Sequence, residues 1–385
     1  MNTKLFGSSL IISGTALGAG MLAIPMVLAE FGLWYGSLLM TFICFGTTYA
    51  ALLLLEATLK TGGGLGLNSI ARQTLGKFGQ VVTNLLLYAL LICLLMAYIL
   101  GAADLLDQFS SMIGLGISAQ YSQVVFTLVS GFIIACGTGA VDKLNRVLFF
   151  FMIISLAVSL LILLPDFRVS NITQIISSDK IELIKTSAVL FTSFGFMVVI
   201  PSLVAYNHEA NDNQLRNMIV IGSLIPLICY LCWLFAVVGN LKTEQLGQFS
   251  NVSELILVFE DHSKWIGAIL SIFTGLALLT SFFGVAMSLY NQNRDMFGQN
   301  KVVTYILTFI LPLIGALLAA DKFLAVLSYA GIILVFLAVF VPVAMVYVVR
   351  QRGNEPKRYQ AEGGSAMLLF SLGFGLFLIV SQFVE

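Results

Sequence analysis

The chain is 385 residues long, 59% apolar and only 10% charged, with a formal net charge of zero and a mean hydropathy of +1.00. Soluble globular domains carry roughly 25% charged residues, so the composition excludes a soluble fold and predicts an all-α integral membrane protein. The balanced charge argues against a nucleic-acid partner.

Eleven apolar runs of about 20 residues read as spans, since a helix rising roughly 1.5 Å per residue crosses a hydrocarbon core of about 30 Å in that length. They lie at 7–29, 33–56, 79–103, 122–140, 147–165, 187–206, 217–239, 265–290, 302–320, 324–349 and 366–384. Lys4 ahead of the first run imitates a secretory signal. The run is too long for one, and no small-residue cleavage site follows Pro25, so it is read as span one. No soluble domain fits between spans, and residues 1–385 are expected to form one transmembrane unit.

Span one is built unlike a lipid-facing helix, because Ile12-Ser-Gly-Thr-Ala-Leu-Gly-Ala-Gly-Met-Leu-Ala-Ile-Pro25 holds three glycines, a threonine and a proline. In hydrocarbon every backbone N–H and C=O needs a partner. A segment prone to unwind is tolerated only where it lines a cavity or faces other protein. Gly14, Thr15, Gly18, Ala19 and Gly20 are therefore candidate ligand-binding residues. Unwinding here exposes the positive N-terminal end of the outward half-helix, whose N–H groups suit a carboxylate.

Span two ends on Glu56, and the loop Thr61 to Gly76 that follows is glycine-rich. It lacks the Lys-Ser/Thr ending and preceding strand of a phosphate-binding loop, and reads as a flexible element near an inner gate. Cys44, Cys93, Cys136, Cys229 and Cys232 all fall within spans, so no structural disulfide is expected. Cys229-Tyr-Leu-Cys232 has redox spacing, but two small apolar fillers explain it more simply. His208 and His262 fall on opposite sides of the membrane and build no metal site.

Span six repeats the anomaly of span one: in Ser187-Ala-Val-Leu-Phe-Thr-Ser-Phe-Gly-Phe-Met197, Thr192, Ser193 and Gly195 interrupt the apolar run. Either interruption alone is explained by close helix packing. Together, at matching places in two halves, they point to a binding site between inverted repeats. Residues 7–165 and 187–349 are the expected repeats, with 366–384 an extra helix. An odd number of spans in each repeat inverts the second, so the breaks meet at the midplane. There, carbonyls around Phe191, Thr192 and Ser193 suit an ammonium group, and a zwitterion is bearable in low dielectric only where both charges meet fixed dipoles.

Of the 19 Lys and Arg residues, only Arg168, Lys180, Lys185, Lys242, Lys264 and Lys322 fall in outer segments if the N-terminus is cytoplasmic. That asymmetry sets the orientation, and eleven spans put the C-terminus outside. Trp34, Tyr35 and Trp265 then open their spans at the outer interface.

The block Gly14 to Pro25, with Ala51-Leu-Leu-Leu-Leu-Glu56, Phe191-Thr-Ser-Phe-Gly-Phe196 and Leu279-Thr-Ser-Phe-Phe-Gly-Val-Ala286, resembles the hydroxy and aromatic amino acid permeases over essentially the whole chain. The resemblance implies the leucine-transporter fold and a bacterial inner-membrane location. It also implies uptake of an aromatic amino acid, tyrosine foremost, by cation symport. An aromatic substrate needs a matching pocket, for which Phe194, Phe196, Tyr98 and Tyr329 are candidate walls. Tyr98 resembles the tyrosine that approaches the substrate carboxylate in related folds.

The coupling ion is read two ways. Thr280 and Ser281 match the hydroxyl pair that holds Na⁺ in sodium-driven relatives, a hard-oxygen environment suited to that ion. The family itself implies proton symport, although the lysine that some relatives place in span five is missing between Leu148 and Leu164. Candidate proton carriers are Glu30, Glu56, Asp104, Asp107, Asp142, Glu209 and Asp295, of which Glu56 is foremost; an ion pair with Lys60 or Arg72 explains Glu56 equally. No cofactor, nucleotide site or protein partner is expected, only the substrate and the bilayer. An intramembrane enzyme would need a nucleophile, acid–base pair or metal cluster at mid-depth, and a channel a repeated filter loop; the sequence offers neither.

Overall fold

The computed structural model describes residues 3–112, 114–135, 138–164, 168, 171, 177, 179–241, 245, 249, 251–260, 264–297, 300–319, 322–352 and 358–384. Helix α1 (Thr3–Ala16) stops at mid-span, and α2 (Ala19–Leu28) resumes after Leu17 and Gly18, with Gly18 in an extended conformation (φ −160°, ψ −148°). A short turn leads into α3 (Gly32–Lys60), then α4 (Leu67–Met112), α5 (Ala119–Ala135) and α6 (Thr138–Leu163). Inside α4, Gly76 takes a left-handed φ of +75°, a conformation that glycine adopts without steric cost. The glycine-rich inner loop thus carries a helical stretch that turns sharply at Gly76 into span three.

The second half opens with α7 (Lys180–Lys185) and α8 (Ser187–Ser193). The chain leaves the helix at Phe194, Gly195 and Phe196 and resumes through one tight turn into α9 (Ile200–Tyr206), where Pro201 sits in the first turn and costs no hydrogen bond. There follow α10 (Asp212–Asn240), α11 (Val252–Glu260) and α12 (Lys264–Phe297). Helices α13 (Lys301–Tyr305) and α14 (Leu311–Ala319) are joined by a wide turn at Ile306–Ile310, and α15 (Phe323–Val335) and α16 (Val341–Gln351) by another at Phe336–Phe340. Helix α17 (Gly364–Val380) closes the chain.

Among the described residues, eight helices are long and apolar enough to cross a membrane, against the eleven spans expected. Segments 119–134 and Gly364–Val380 are shorter apolar helices, and the break at Leu17 and Gly18 divides span one. The chain is a multi-pass membrane protein.

Packing brings the two breaks together. Helix α2 lies against α8, α1 runs along α10, and α12 packs on both α6 and α4. Helix α1 is fastened to α10 by hydroxyls: Ser9 donates to the Met218 carbonyl at 3.0 Å and Ser13 to that of Gly222 at 3.0 Å. Small residues allow such close approach where lipid supplies no hydrophobic drive for association.

Candidate functional site

At Gly20 the approach is closest, since a Cβ there would come within 2.8 Å of the Ser193 Cα. Ser193 uses that proximity to donate from Oγ to the Gly20 carbonyl at 2.9 Å. The first turn of α2 has N–H groups without helical partners. The breaks therefore present donor ends of one segment beside acceptor ends of the other.

A cavity of about 540 Å³ opens beside this junction. Its walls include Gly14, Thr15, Gly18, Gly20, Tyr98, Thr192, Gly195, Thr280 and Ser281, all expected from sequence. It runs on past Leu10, Ile11, Asn145, Arg146 and Ser288, towards the end of the bundle where α1 begins. Arg146 is the one charged residue among those lining it.

Of the expected aromatic walls, Tyr98 lines the cavity and the other three fall elsewhere. Phe194 and Phe196 are fully buried and do not line the cavity. Phe194 packs edge-on against Tyr230 at 5.2 Å, and Phe191 against Phe374 of α17 at 5.9 Å. The extra helix draws Phe191 away from the cavity, while only Gly195 of the break faces it. Tyr329 is 62% exposed and stands apart from the cavity. The rings that line it are those of Tyr98 and Phe149.

The carbonyls expected to meet an ammonium already have donors. Phe194 N–H donates to Phe191 O at 3.0 Å, Gly195 N–H to Thr192 O at 3.1 Å, and the Tyr230 hydroxyl lies 2.7 Å from Ser193 O. A carbonyl has two lone pairs, so each retains room for one further donor. The sequence carries no signal for Tyr230: it sits inside the Cys229 to Cys232 pattern, where the thiols have a recognisable spacing and the phenol between them has none.

For a hard cation the surroundings of Thr280 and Ser281 fit poorly. Thr280 donates to its own helix at Leu276 O (2.9 Å) and Ala277 O (3.1 Å), and the Met152 sulfur lies 3.7 Å from it. A thioether is a soft donor, ill matched to Na⁺. Ser281 is engaged by the Tyr98 phenol.

Glu56, expected as the foremost proton carrier, lies outside the cavity, in a buried ion cluster. Arg350 grips it with two parallel bonds of 2.8 and 2.7 Å, Lys60 lies at 3.2 Å, and the Ala361 N–H donates at 2.9 Å. Asp104 accepts from the N–H and hydroxyl of Ser253, capping α11. Glu30, Asp107 and Glu209 do not line the cavity. The side chains of Ala19, Asp142 and Asp295, with residues Cys136 and His262, lie outside the described structure.

This geometry has counterparts among known proteins. The fold matches the crystal structure of MhsT in complex with L-phenylalanine, with a TM-score of 0.66 over 98% of both chains at 15% identity, which assigns the leucine-transporter-like architecture. Residues 1–382 match the tryptophan/tyrosine permease family, and the chain belongs to it. Glutamine transporter 2 of Aliivibrio fischeri is 59% identical, covering 99% of this chain and 100% of that protein. Tyrosine-specific transport system 1 of Haemophilus influenzae is 34% identical over 97% and 95%, and the tryptophan-specific transport protein of Pseudomonas aeruginosa 30% over 97% and 93%.

Proposed function

We propose that the chain is a secondary transporter that imports a neutral amino acid by proton symport across the bacterial inner membrane, with glutamine as its first substrate. The observation that carries this reading is the junction at Gly20 and Ser193, where two broken helices meet beside a cavity with one charged lining residue. The substrate carboxylate meets the first turn of α2 around Gly18, Ala19 and Gly20, and its ammonium meets the carbonyl end of α8 around Thr192. The inverted repeats 7–165 and 187–349 supply one break each. With the N-terminus cytoplasmic and the C-terminus periplasmic, the cavity opens inward, the release side of an alternating-access cycle.

Glutamine takes precedence over tyrosine for two reasons. The glutamine-transporting relative is far more similar than the tyrosine-specific one, 59% against 34%. The rings of Phe191, Phe194 and Phe196, which would stack on an aromatic side chain, do not line the cavity. A tyrosine or tryptophan substrate is the second reading, favoured by family membership and by Tyr98 and Phe149 in the wall.

Proton coupling is preferred to sodium because Met152 sits against Thr280. The test is uptake of labelled glutamine, tyrosine and tryptophan into proteoliposomes under separately imposed proton and sodium gradients. Saturable, proton-driven glutamine uptake is expected. Uptake of tyrosine that excess glutamine does not inhibit transfers the assignment to the second reading, and uptake of none refutes both.

A further inference from the structure

Tyr230 of α10 is fully buried, and its hydroxyl lies 2.7 Å from the carbonyl oxygen of Ala16 and 2.7 Å from that of Ser193. These are not arbitrary carbonyls. Ala16 is the last helical residue of α1 and Ser193 the last of α8. Each terminates a half-helix, so each carries the negative end of a helix dipole and a C=O without an intrahelical donor. The fold thus points two like dipole ends at each other in the membrane interior, where an unsatisfied carbonyl is costly.

We propose that Tyr230 is the positioning residue of the substrate site, its hydroxyl holding the ends of both broken helices so that α2 and α8 address one ligand together. The inference rests on the amino-acid transport reading above and adds a residue to that site. A phenol has one proton, so the hydroxyl satisfies one carbonyl at a time and is drawn to both. A donor between the two ends relieves their repulsion without adding charge. A second tie between the breaks, Ser193 Oγ to Gly20 O, joins α8 to α2 and does not involve the last residue of α1. The Tyr230 hydroxyl reaches the ends of α1 and α8 at once. Its ring is fixed by the edge contact with Phe194, which keeps the hydroxyl from swinging away.

The experiment is Tyr230→Phe in purified protein, reading equilibrium binding of labelled glutamine and tyrosine beside thermal melting without substrate. The ring and its packing remain, and only the hydroxyl is lost. Expected are a melting temperature within a few degrees of wild type and a Kd at least tenfold weaker, with Cys229→Ala on the same helix unchanged. A Kd within twofold of wild type overturns the proposal, and so does a weakened Kd that merely follows a collapsed melting temperature. Where the phenylalanine variant does not fold, 3-fluorotyrosine at position 230 keeps the shape and alters the donor: a Kd that moves supports the proposal, and an unmoved one overturns it. Wild-type protein that binds neither of these, nor labelled tryptophan measured alongside them, refutes the transport reading instead, and the positioning role falls with it.

Discussion

A Cβ built on Gly18 would fall on the hydroxyl of Ser281, so the extended break of span one lies directly against that side chain of α12 with no room for a side chain of its own. That contact closes one wall of the cavity. Replacing Gly18 with alanine forces the serine, and the Tyr98 phenol engaged with it, to move. Overpacking of this kind costs about 1–3 kcal/mol, and initial uptake is expected to fall at least tenfold with membrane insertion intact. The double variant Gly18→Ala with Ser281→Ala removes the clashing oxygen, leaving the Ser281 Cβ position at an ordinary 3.5 Å. Partial recovery of uptake in the double variant supports the contact, and equal loss in both removes it.

Both breaks were legible in the sequence because glycine and hydroxyl residues at mid-span conflict with what hydrocarbon demands of a backbone. Of the rings, only Tyr98 was legible as a cavity wall. Spans that are apolar all round carry no facing signal, so Phe194 and Phe196 looked like walls when Gly195 between them is the residue that lines the space. The expected partners of Glu56 were Lys60 and Arg72, chosen by nearness along the chain. Lys60 does lie beside it, yet the two-pronged grip comes from Arg350, 294 residues away. Pairs brought together only by tertiary folding leave no trace in local pattern, and Tyr230 was missed for the same reason.

Sodium has a poor seat beside Thr280, with the Met152 sulfur at 3.7 Å and the hydroxyl turned to its own helix. Replacing external Na⁺ with choline is expected to change initial uptake less than twofold. An imposed proton gradient, inside alkaline, is expected to drive accumulation. Thr280→Val should leave both responses as they are. Uptake that tracks an imposed sodium gradient and is lost in Thr280→Val restores the sodium site.

Glu56 and Arg350 are expected to matter for stability rather than for coupling. The carboxylate is fully buried, and removing it by Glu56→Gln strands the guanidinium without its counter-charge. Breaking a buried pair from one side costs about 3–5 kcal/mol, whereas replacing both partners with apolar residues is often near neutral. The single variant should melt well below wild type in detergent, and Glu56→Met with Arg350→Leu should recover most of the difference. The pH profile of residual uptake should match wild type, because Glu56 does not line the cavity. A displaced profile would mark it as a proton carrier after all.

Arg146 is the one charged residue among those lining the cavity, near the end where α1 begins. In the proposed orientation that end is cytoplasmic, so the guanidinium attracts amino acid carboxylates arriving from inside and leaves those arriving from outside untouched. An exposed charge acts through screened attraction worth at most a few-fold in affinity. Arg146→Gln is therefore expected to raise the KM for substrate presented on the cytoplasmic face about two- to fivefold, with Arg146→Lys close to wild type. The KM measured from the periplasmic face should not change. Counterflow in vesicles of each orientation makes the comparison, and raised salt should shrink the difference between wild type and Arg146→Gln. A KM that shifts equally from both faces would place Arg146 at the substrate site itself, and one that shifts only from the periplasmic face would reverse the inward-opening assignment of the cavity.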